Sequence, residues 1–341
     1  MNVPTLVGPA FRQRYAIRRF RDGGVLVDLA TGTYVRLNVS AAEICAILAE
    51  SRDLDEAGIL VSRRLGGDRD AADRALKAVM DGLTEGGPRR EPAGDFRYGP
   101  DDRGGYVLTS NGAPKLLIDA GGTSVRLASP DQGPIRAQIY EYLRAIAPKI
   151  LFQHSILVIH GSASRVRGGL RVISGESGAG KTTTARAFDA AGASLFAEDM
   201  LVVASASPLS VFSEGERAIN DWADRWAARL ADDSRAEIDE LPFRAAGGIE
   251  RTPVSEIWFI DRQRRVPDSD EIHPRRLGET EGGLAMMTSL FLGSSTPEGW
   301  QAFLSLAGTI AETVPVFESL MPVGLDRLQA VTKRYTENSA S

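Results

Sequence analysis

The chain has 341 residues, 43% of them hydrophobic, which is enough to bury a sizeable core and to form more than one domain. A formal net charge of −5 does not indicate nucleic-acid binding, and the single cysteine, Cys45, excludes an internal disulfide and a multi-cysteine metal site. Because no apolar run approaches the ~20 residues that span a bilayer and no secretion signal is visible, the sequence predicts a cytoplasmic protein without a membrane partner.

The N-terminal pattern predicts a small α+β unit. Alternating apolar residues on both sides of a Thr-Gly turn predict a strand hairpin over residues 25–37. Ser40 and Glu43 have the spacing of a capping box that opens a helix, in which we expect the cysteine thiol to be buried and structural. Further helices are predicted over residues 56–64 and 70–84. A hairpin followed by three helices is typical of winged-helix modules, some of which bind DNA.

The stretch GVLVDLATGTYVRLNVSAAEICAIL resembles the PqqD-like domains, which recognise leader peptides of ribosomally synthesised, modified peptides. The resemblance covers most of residues 15–85 and implies that residues 1–88 form a peptide-recognition domain. We expect a leader peptide to dock by adding a strand to the edge of residues 25–37. Acidic residues spread among the basic ones argue against a DNA-binding surface here.

Residues 89–105 are rich in proline, glycine and charge, and predict a linker. The remainder, residues 106–341, predicts a second domain of α/β class. Within it we expect a helix over 135–152, an apolar strand over 254–260, helices around 284–292 and 298–312, and a frayed polar end over 332–341.

GESGAGKT, Gly175 to Thr182, has the spacing of a phosphate-binding loop. A short apolar strand, LRVIS, precedes it and a helical pattern follows, so backbone N–H groups and a helix N-terminus would converge on an anion. Lys181 is expected to reach the β- and γ-phosphates of a nucleotide, and Thr182 to offer its hydroxyl to Mg²⁺. The expected nucleotide contacts are Gly175, Glu176, Ser177, Gly178, Ala179, Gly180, Lys181, Thr182 and Thr183.

A hairpin is predicted immediately before this loop, in ILVIHGSASRVRGGLRVIS. If its turn centres on Gly168, His160 faces Glu176 and lies beside the phosphates. An imidazole there could hydrogen-bond a phosphate or assist proton transfer. Ser162 points to the same face of the strand, where strand packing and a functional role are equally open.

Downstream, SLFAEDMLVV predicts a strand parallel to LRVIS, with Glu198 and Asp199 next to the phosphate loop. Neighbouring residues of a strand face opposite sides, so the two carboxylates are expected to have different roles. One can hold Mg²⁺ and the other can accept the proton of an attacking hydroxyl.

Together, HGSAS, GESGAGKT and AED resemble, in order and spacing, the HPr kinase/phosphorylase family and its smaller relatives, which include kinases of lasso-peptide clusters. The resemblance covers residues 151–205 well and the rest of the C-terminal half loosely. It implies an α/β P-loop kinase domain that uses ATP and Mg²⁺ and that self-associates. It also implies that His160 is the active-site histidine, Glu198 the proton acceptor, and Asp199 the metal-associated acid.

The sequence departs from that family in two respects. The family usually has aspartate where this chain has Glu198, and the extra methylene moves the carboxylate by ~1.5 Å. The downstream signature that supports the reverse, phosphorylase reaction is not visible. Arg244, Arg251 and Arg262 could each neutralise charge on a transferred phosphoryl group, and the sequence does not choose among them.

Three functions remain open at this point. The first is a kinase that transfers the γ-phosphoryl group of ATP to a serine or threonine of a ribosomal peptide held by the N-terminal domain, which raises the effective concentration of the acceptor. The second is a kinase of a small metabolite or another protein, with a regulatory N-terminal domain. The third is a non-enzymatic, ATP-sensing regulator.

Overall fold

The computed structural model describes residues 6–84, 96–101, 104–129, 135–176, 178–238, 250–260, 271–291, 296–322 and 324–340. These residues form a mixed α/β protein with several sheets. The chain divides into two compact units, and the first consists of Met1–Glu91, Leu277–Met287 and Ser295–Glu312. The second consists of Pro92–Arg276, Thr288–Ser294 and Thr313–Ser341. The division predicted from sequence, 1–88, 89–105 and 106–341, places neither of the two later segments in the first unit.

The helices and strands are numbered here in chain order. The helices are α1 (Gly8–Arg14), α2 (Val39–Glu50), α3 (Leu54–Leu65), α4 (Arg69–Thr84), α5 (Arg136–Gln153), α6 (Lys181–Ala190), α7 (Gly215–Asp233), α8 (Glu279–Ser289), α9 (Pro297–Thr313) and α10 (Leu325–Ala340). The strands are β1 (Tyr15–Phe20), β2 (Gly23–Asp28), β3 (Tyr34–Leu37), β4 (Phe96–Pro100), β5 (Tyr106–Ser110), β6 (Ala113–Ile118), β7 (Ser124–Leu127), β8 (Val158–Val166), β9 (Gly169–Ser174), β10 (Leu195–Ala197), β11 (Met200–Ala206), β12 (Leu209–Phe212), β13 (Arg235–Glu237), β14 (Arg251–Ile260), β15 (His273–Arg276) and β16 (Val316–Leu320).

In the first unit, β1, β2 and β3 form an antiparallel sheet in that order, and α2 lies against β1 and β2. The β2–β3 pairing confirms the hairpin predicted over residues 25–37. The thiol of Cys45 is free and fully buried, as expected, and burial raises its pKa to about 12. A thiol with that pKa stays protonated at neutral pH, so Cys45 serves as a small apolar core residue.

The start of α2 differs from the prediction. Asn38 is the N-cap, and its side chain accepts a first-turn backbone N–H at 2.8 Å. The predicted capping box of Ser40 and Glu43 is therefore wrong. Glu43 instead forms ion pairs with Arg19 and Arg64, because two guanidinium groups are better partners for a carboxylate than a single backbone N–H.

In the second unit, the larger sheet has the order β10-β8-β11-β12-β14-β16-β15, and β9 pairs with both β8 and β14. β14 is parallel to β9 and to β16. A second, antiparallel sheet has the order β13-β7-β6-β5-β4, and a buried core joins it to α5 and α7. β4 lies inside the segment 89–105 predicted as a linker, where pairing with β5 outweighs the local proline and glycine signals.

The β8–β9 hairpin differs from the prediction by one residue. Gly161 faces Ser174 and Val166 faces Gly169, so the turn consists of Arg167 and Gly168. The predicted pairing of His160 with Glu176 is therefore wrong, because the turn does not centre on Gly168. His160 still lies at the start of the loop, since the Ser174 hydroxyl donates to its backbone carbonyl at 2.8 Å.

Two other elements differ from the sequence reading. The strand predicted from SLFAEDMLVV is interrupted at Glu198 and Asp199, and its halves, β10 and β11, both pair antiparallel with β8. β8 is also antiparallel to β9, so β10 and β11 run in the same direction as β9. The polar end predicted to fray forms α10 through Ala340. Among the described residues, no helix is long and apolar enough to cross a membrane.

Candidate functional site

The glycine-rich loop connects the end of β9 to the start of α6, as predicted. Gly175, Gly178 and Gly180 have positive φ angles of 143°, 76° and 97°, which favour glycine. A Cβ atom on Gly175 would also collide with the backbone carbonyl of Ile260, at the end of β14. Gly180 is the N-cap of α6 and has no side chain to occupy the first-turn N–H groups. The loop therefore presents a helix N-terminus suited to an anion.

Lys181 is the most informative side chain of the loop. It is 7% exposed, and its Nζ donates to the carbonyls of Gly175 and Glu176, both at 3.1 Å. Burial lowers the pKa of Lys181, and the charge of Asp199 opposes that shift. Among the described residues, the hydrogen-bond acceptors of this buried ammonium are neutral carbonyls. It therefore gains from an anionic partner, because a charge-assisted hydrogen bond is stronger than a bond to a neutral acceptor.

The Thr182 hydroxyl lies beside the backbone that joins β10 and β11. It donates to the carbonyl of Glu198 at 3.1 Å. Ser162 Oγ lies 2.6 Å from the same carbonyl and 3.4 Å from Thr182 Oγ1. Ser162 is fully buried, so its role is to fix Thr182 and the Glu198 backbone. Thr183 is exposed on α6, and Ser177 lies outside the described residues.

His160 and Asp199 are brought together beside the loop. His160 Nε2 lies 3.2 Å from Asp199 Oδ1, and the imidazole ring also faces the Phe291 ring at 5.6 Å between centroids. Arg144, from α5, donates to Asp199 Oδ2 at 2.8 Å. Each oxygen of this carboxylate therefore has its own partner, which fixes the orientation of the group.

The ionisation of Asp199 follows from these contacts. The hydrogen bond from His160 holds the pKa of Asp199 below its usual range, and the charge of Arg144 acts in the same direction against burial. In contrast, burial raises the pKa of Glu216. Glu216 accepts the backbone N–H of Glu198 at 2.9 Å and lies 3.5 Å from Arg144. The site thus contains one carboxylate stabilised as an anion and one whose charge is costly.

The carboxylate of Glu198 does not join His160 and Asp199. It forms a two-pronged ion pair with Arg186 of α6, with N–O distances of 2.9 to 3.1 Å. Both side chains of that pair are substantially exposed. The expectation that neighbouring acids face different sides is consistent with this arrangement, since Asp199 points to His160 and Glu198 to the surface of α6.

Sequence reasoning missed Arg144, Glu216 and Asn220. Arg144 Nε donates to Asn220 Oδ1 at 3.0 Å, so α5 and the first turns of α7 converge on Asp199. Arg144 lies 55 positions before Asp199, and Glu216 and Asn220 lie at least 17 positions after it, so all three are outside every motif. Of the arginines considered, Arg251 lies at the start of β14, near the Phe212 ring, and Arg244 and Arg262 lie outside the described residues.

The donors present fit Mg²⁺ held together with a nucleotide. In the described part of the chain, no three His, Cys, Asp or Glu side chains form a metal cage. Mg²⁺ is usually held by one or two protein oxygens plus phosphate oxygens and water. The Thr182 hydroxyl and the Asp199 carboxylate are oxygen donors of this kind, close to the loop.

No family model matches this chain, and no curated protein matches it.

Proposed function

We propose that the second unit is an ATP-dependent phosphotransferase with an HPr kinase-like P-loop fold. The observation that carries the proposal is the convergence of a buried Lys181, a glycine-capped helix N-terminus and the His160–Asp199 pair at one loop. Phosphoryl transfer requires mainly positioning and charge stabilisation, and this loop supplies both.

The roles follow from the contacts. Loop N–H groups and Lys181 bind the β- and γ-phosphates, so the ammonium exchanges backbone carbonyls for phosphate oxygens. Thr182 and Asp199 hold Mg²⁺, which when bound neutralises charge on those phosphates. Since the pKa of Asp199 is lowered, the group is ionised at neutral pH and can serve as a metal ligand.

Two neighbouring acids, Glu198 and Asp199, are candidates for the proton acceptor, and experiment decides between them. The acceptor hydroxyl loses its proton to a carboxylate as its oxygen bonds to the γ-phosphorus, while the bond to the β-phosphate oxygen breaks and ADP leaves. Glu198 is the acid implied by the family resemblance, and its pair with the exposed Arg186 is easily exchanged. Asp199, oriented by His160, is the geometric competitor.

The acceptor is a serine or threonine of a ribosomal peptide, held by the first unit. β3 lies at one end of the strand order β1-β2-β3, where a PqqD-like domain can take an added strand from a leader peptide. Tethering the leader raises the local concentration of the hydroxyl. A peptide stripped of its leader should therefore react more slowly, and free leader added separately should compete.

The test is mass spectrometry of candidate peptides, starting with small peptides encoded beside the gene, after incubation with Mg-ATP. Wild type should add one phosphate, ~80 Da, and Lys181→Ala should not. Lys333→Ala, which removes an exposed lysine of α10, is the matched control and should retain activity. Loss of transfer in Glu198→Gln, with binding of Mg-ATP retained, would identify Glu198 as the proton acceptor. Transfer that survives Glu198→Gln and is lost in Asp199→Asn, again with Mg-ATP still bound, would identify Asp199.

Two outcomes would contradict the peptide kinase. Phosphorylation of a small metabolite but of no peptide would favour the metabolite kinase. ATP binding that depends on Lys181, without transfer to any acceptor, would favour the non-enzymatic regulator.

A further inference from the structure

A cleft of about 530 Å³ lies between the β10–β12 region and the first turns of α7. Its apolar wall contains Phe196 and Phe212, both partly exposed, together with the buried Met200 and Leu201. Carboxylates from α7 and the turn before it also line the cleft. The cleft thus combines a surface for hydrocarbon with a polar, acidic rim.

The cleft and the phosphate loop meet at the backbone of Glu198. On the loop side, the Glu198 carbonyl accepts the Thr182 hydroxyl. On the cleft side, the Glu198 N–H donates to the carboxylate of Glu216, which lines the cleft. A ligand in the cleft therefore contacts Glu198, the residue before Asp199, whose backbone also borders the phosphate loop.

The charges of the cleft are incompletely balanced. Glu198 and Glu216 each face an arginine from outside the cleft, Arg186 and Arg144. Glu214 and Asp221 share Arg217, at N–O distances of 3.5 and 3.8 Å. Arg217 has a 75% exposed side chain, so these pairs are weak and screened by solvent. The exposed carboxylates of Glu214 and Asp221 therefore have one loosely held cation between them, and this part of the cleft favours a second cation.

We propose that this cleft binds the side chain of a lysine or arginine that flanks the phosphorylated serine or threonine of the acceptor peptide. The methylene stem of such a residue lies on Phe196 and Phe212, and its charged head lies between Glu214 and Asp221. The inference rests on the proposed phosphotransferase function, and it narrows the acceptor to hydroxyl-bearing peptides with a basic neighbour.

The test compares synthetic peptides that carry one serine and, at each neighbouring position in turn, lysine, norleucine or glutamate. Norleucine keeps the lysine stem and removes the charge. Wild type should phosphorylate the best lysine peptide with a kcat/KM about two- to fivefold above that of its norleucine twin, the range expected of an exposed ion pair. The Glu214→Gln/Asp221→Asn double variant should reduce that ratio to about one. Glu214 makes no side-chain cap bond to α7, so the change spares the helix start.

Asp232→Asn is the matched control, since it removes an exposed carboxylate at the other end of α7. It should leave the lysine preference intact. A charge reversal, Asp221→Lys, should move the preference toward the glutamate peptide. Equal rates for lysine and norleucine peptides in wild type would overturn the inference and leave the kinase standing.

A second measurement keeps the inference testable if no peptide is phosphorylated, the result that contradicts the kinase. Saturation-transfer NMR detects millimolar binding of the same lysine and norleucine peptides to the full chain. A lysine preference that is lost in the double variant supports the cleft without turnover. Binding that is equal for the two peptides contradicts it.

Discussion

Arg144 donates to an aspartate, a glutamate and an asparagine from different parts of the second unit: Asp199, Glu216 and Asn220. Its charge helps to hold the pKa of Asp199 low, after the larger effect of the hydrogen bond from His160. An arginine suits this position because its planar guanidinium can bond several acceptors at fixed angles, which a lysine ammonium cannot. Arg144 therefore acts on the chemistry through Asp199, as a positioning residue.

We predict that Arg144→Met makes phosphoryl transfer more sensitive to acid. Without the guanidinium, the pKa of Asp199 rises toward its ordinary value, so the ionised form is lost at a higher pH as the solution is acidified. Relative to wild type, activity should fall roughly two- to tenfold between about pH 4 and pH 3 and change little above about pH 6. A pH–rate profile measures this, with Arg144→Lys expected to recover part of the effect. A uniform loss at every pH would indicate a structural role alone.

The residues of the site differ in how far sequence could predict them. Lys181, Thr182, His160 and Asp199 lie in short motifs that the sequence shows directly, although it is the pairing of β8 with β11 that brings His160 to Asp199. The pairing of Glu198 with Arg186 depends on how α6 packs against β10, which no local sequence pattern encodes. Arg144, Glu216 and Asn220 could not be predicted, because tertiary packing of α5 and α7 brings them to the site.

At the scale of elements, the loop depends on β14 as well as on β9 and α6. Gly175 follows β9 and lies against the carbonyl of Ile260, the last residue of β14, which is parallel to β9. Strand, loop and helix were predictable from one continuous stretch of sequence. The neighbouring parallel strand was not, because strand order in a sheet depends on long-range pairing that periodicity does not report.

We predict that Gly175→Ala abolishes nucleotide binding and lowers the free energy of unfolding by about 1–3 kcal/mol, from backbone strain at positive φ plus the collision with Ile260. Gly192→Ala is the matched control, since its φ of 97° is also strained but an added Cβ meets no atom within 4 Å. It should cost stability and retain nucleotide binding. Titration with a fluorescent ATP analogue and urea denaturation separate the two effects. Equal nucleotide affinity in both variants would show that the approach to β14 is unimportant.

At the scale of the whole molecule, the first unit is assembled from segments far apart in sequence. β1 contacts α9 through the ion pair Arg18–Glu312, and β3 contacts α8 through the ion pair Arg36–Glu281. No sequence pattern marks these partners, since single charges on amphipathic helices usually face solvent. Removing residues 1–88 would leave these helices without their partners. Peptide competition is therefore a cleaner test of leader recognition than truncation.

Asp22 offers the sharpest test of this assembly, because its Oδ1 accepts the backbone N–H and the hydroxyl of Thr280, at 2.9 and 2.6 Å, 258 positions later in the chain. Burial alone would raise the pKa of Asp22, but these hydrogen bonds hold that pKa below its usual value. A group with a lowered folded pKa contributes stability above its unfolded pKa of ~3.9 and loses that contribution as the pH falls through the folded value.

The isosteric Asp22→Asn change, which resembles the protonated acid, should therefore destabilise the protein at pH 7 by about 0.5–1.5 kcal/mol and have almost no effect at pH 2 to 3. Urea denaturation at both pH values, followed by circular dichroism, measures the difference. Asp70→Asn, an exposed carboxylate in the first turn of α4, is the control and should change stability by less than ~1 kcal/mol. A destabilisation by Asp22→Asn that persists unchanged at low pH would mean that hydrogen-bond geometry, and not the charge of Asp22, joins the N-terminal sheet to α8.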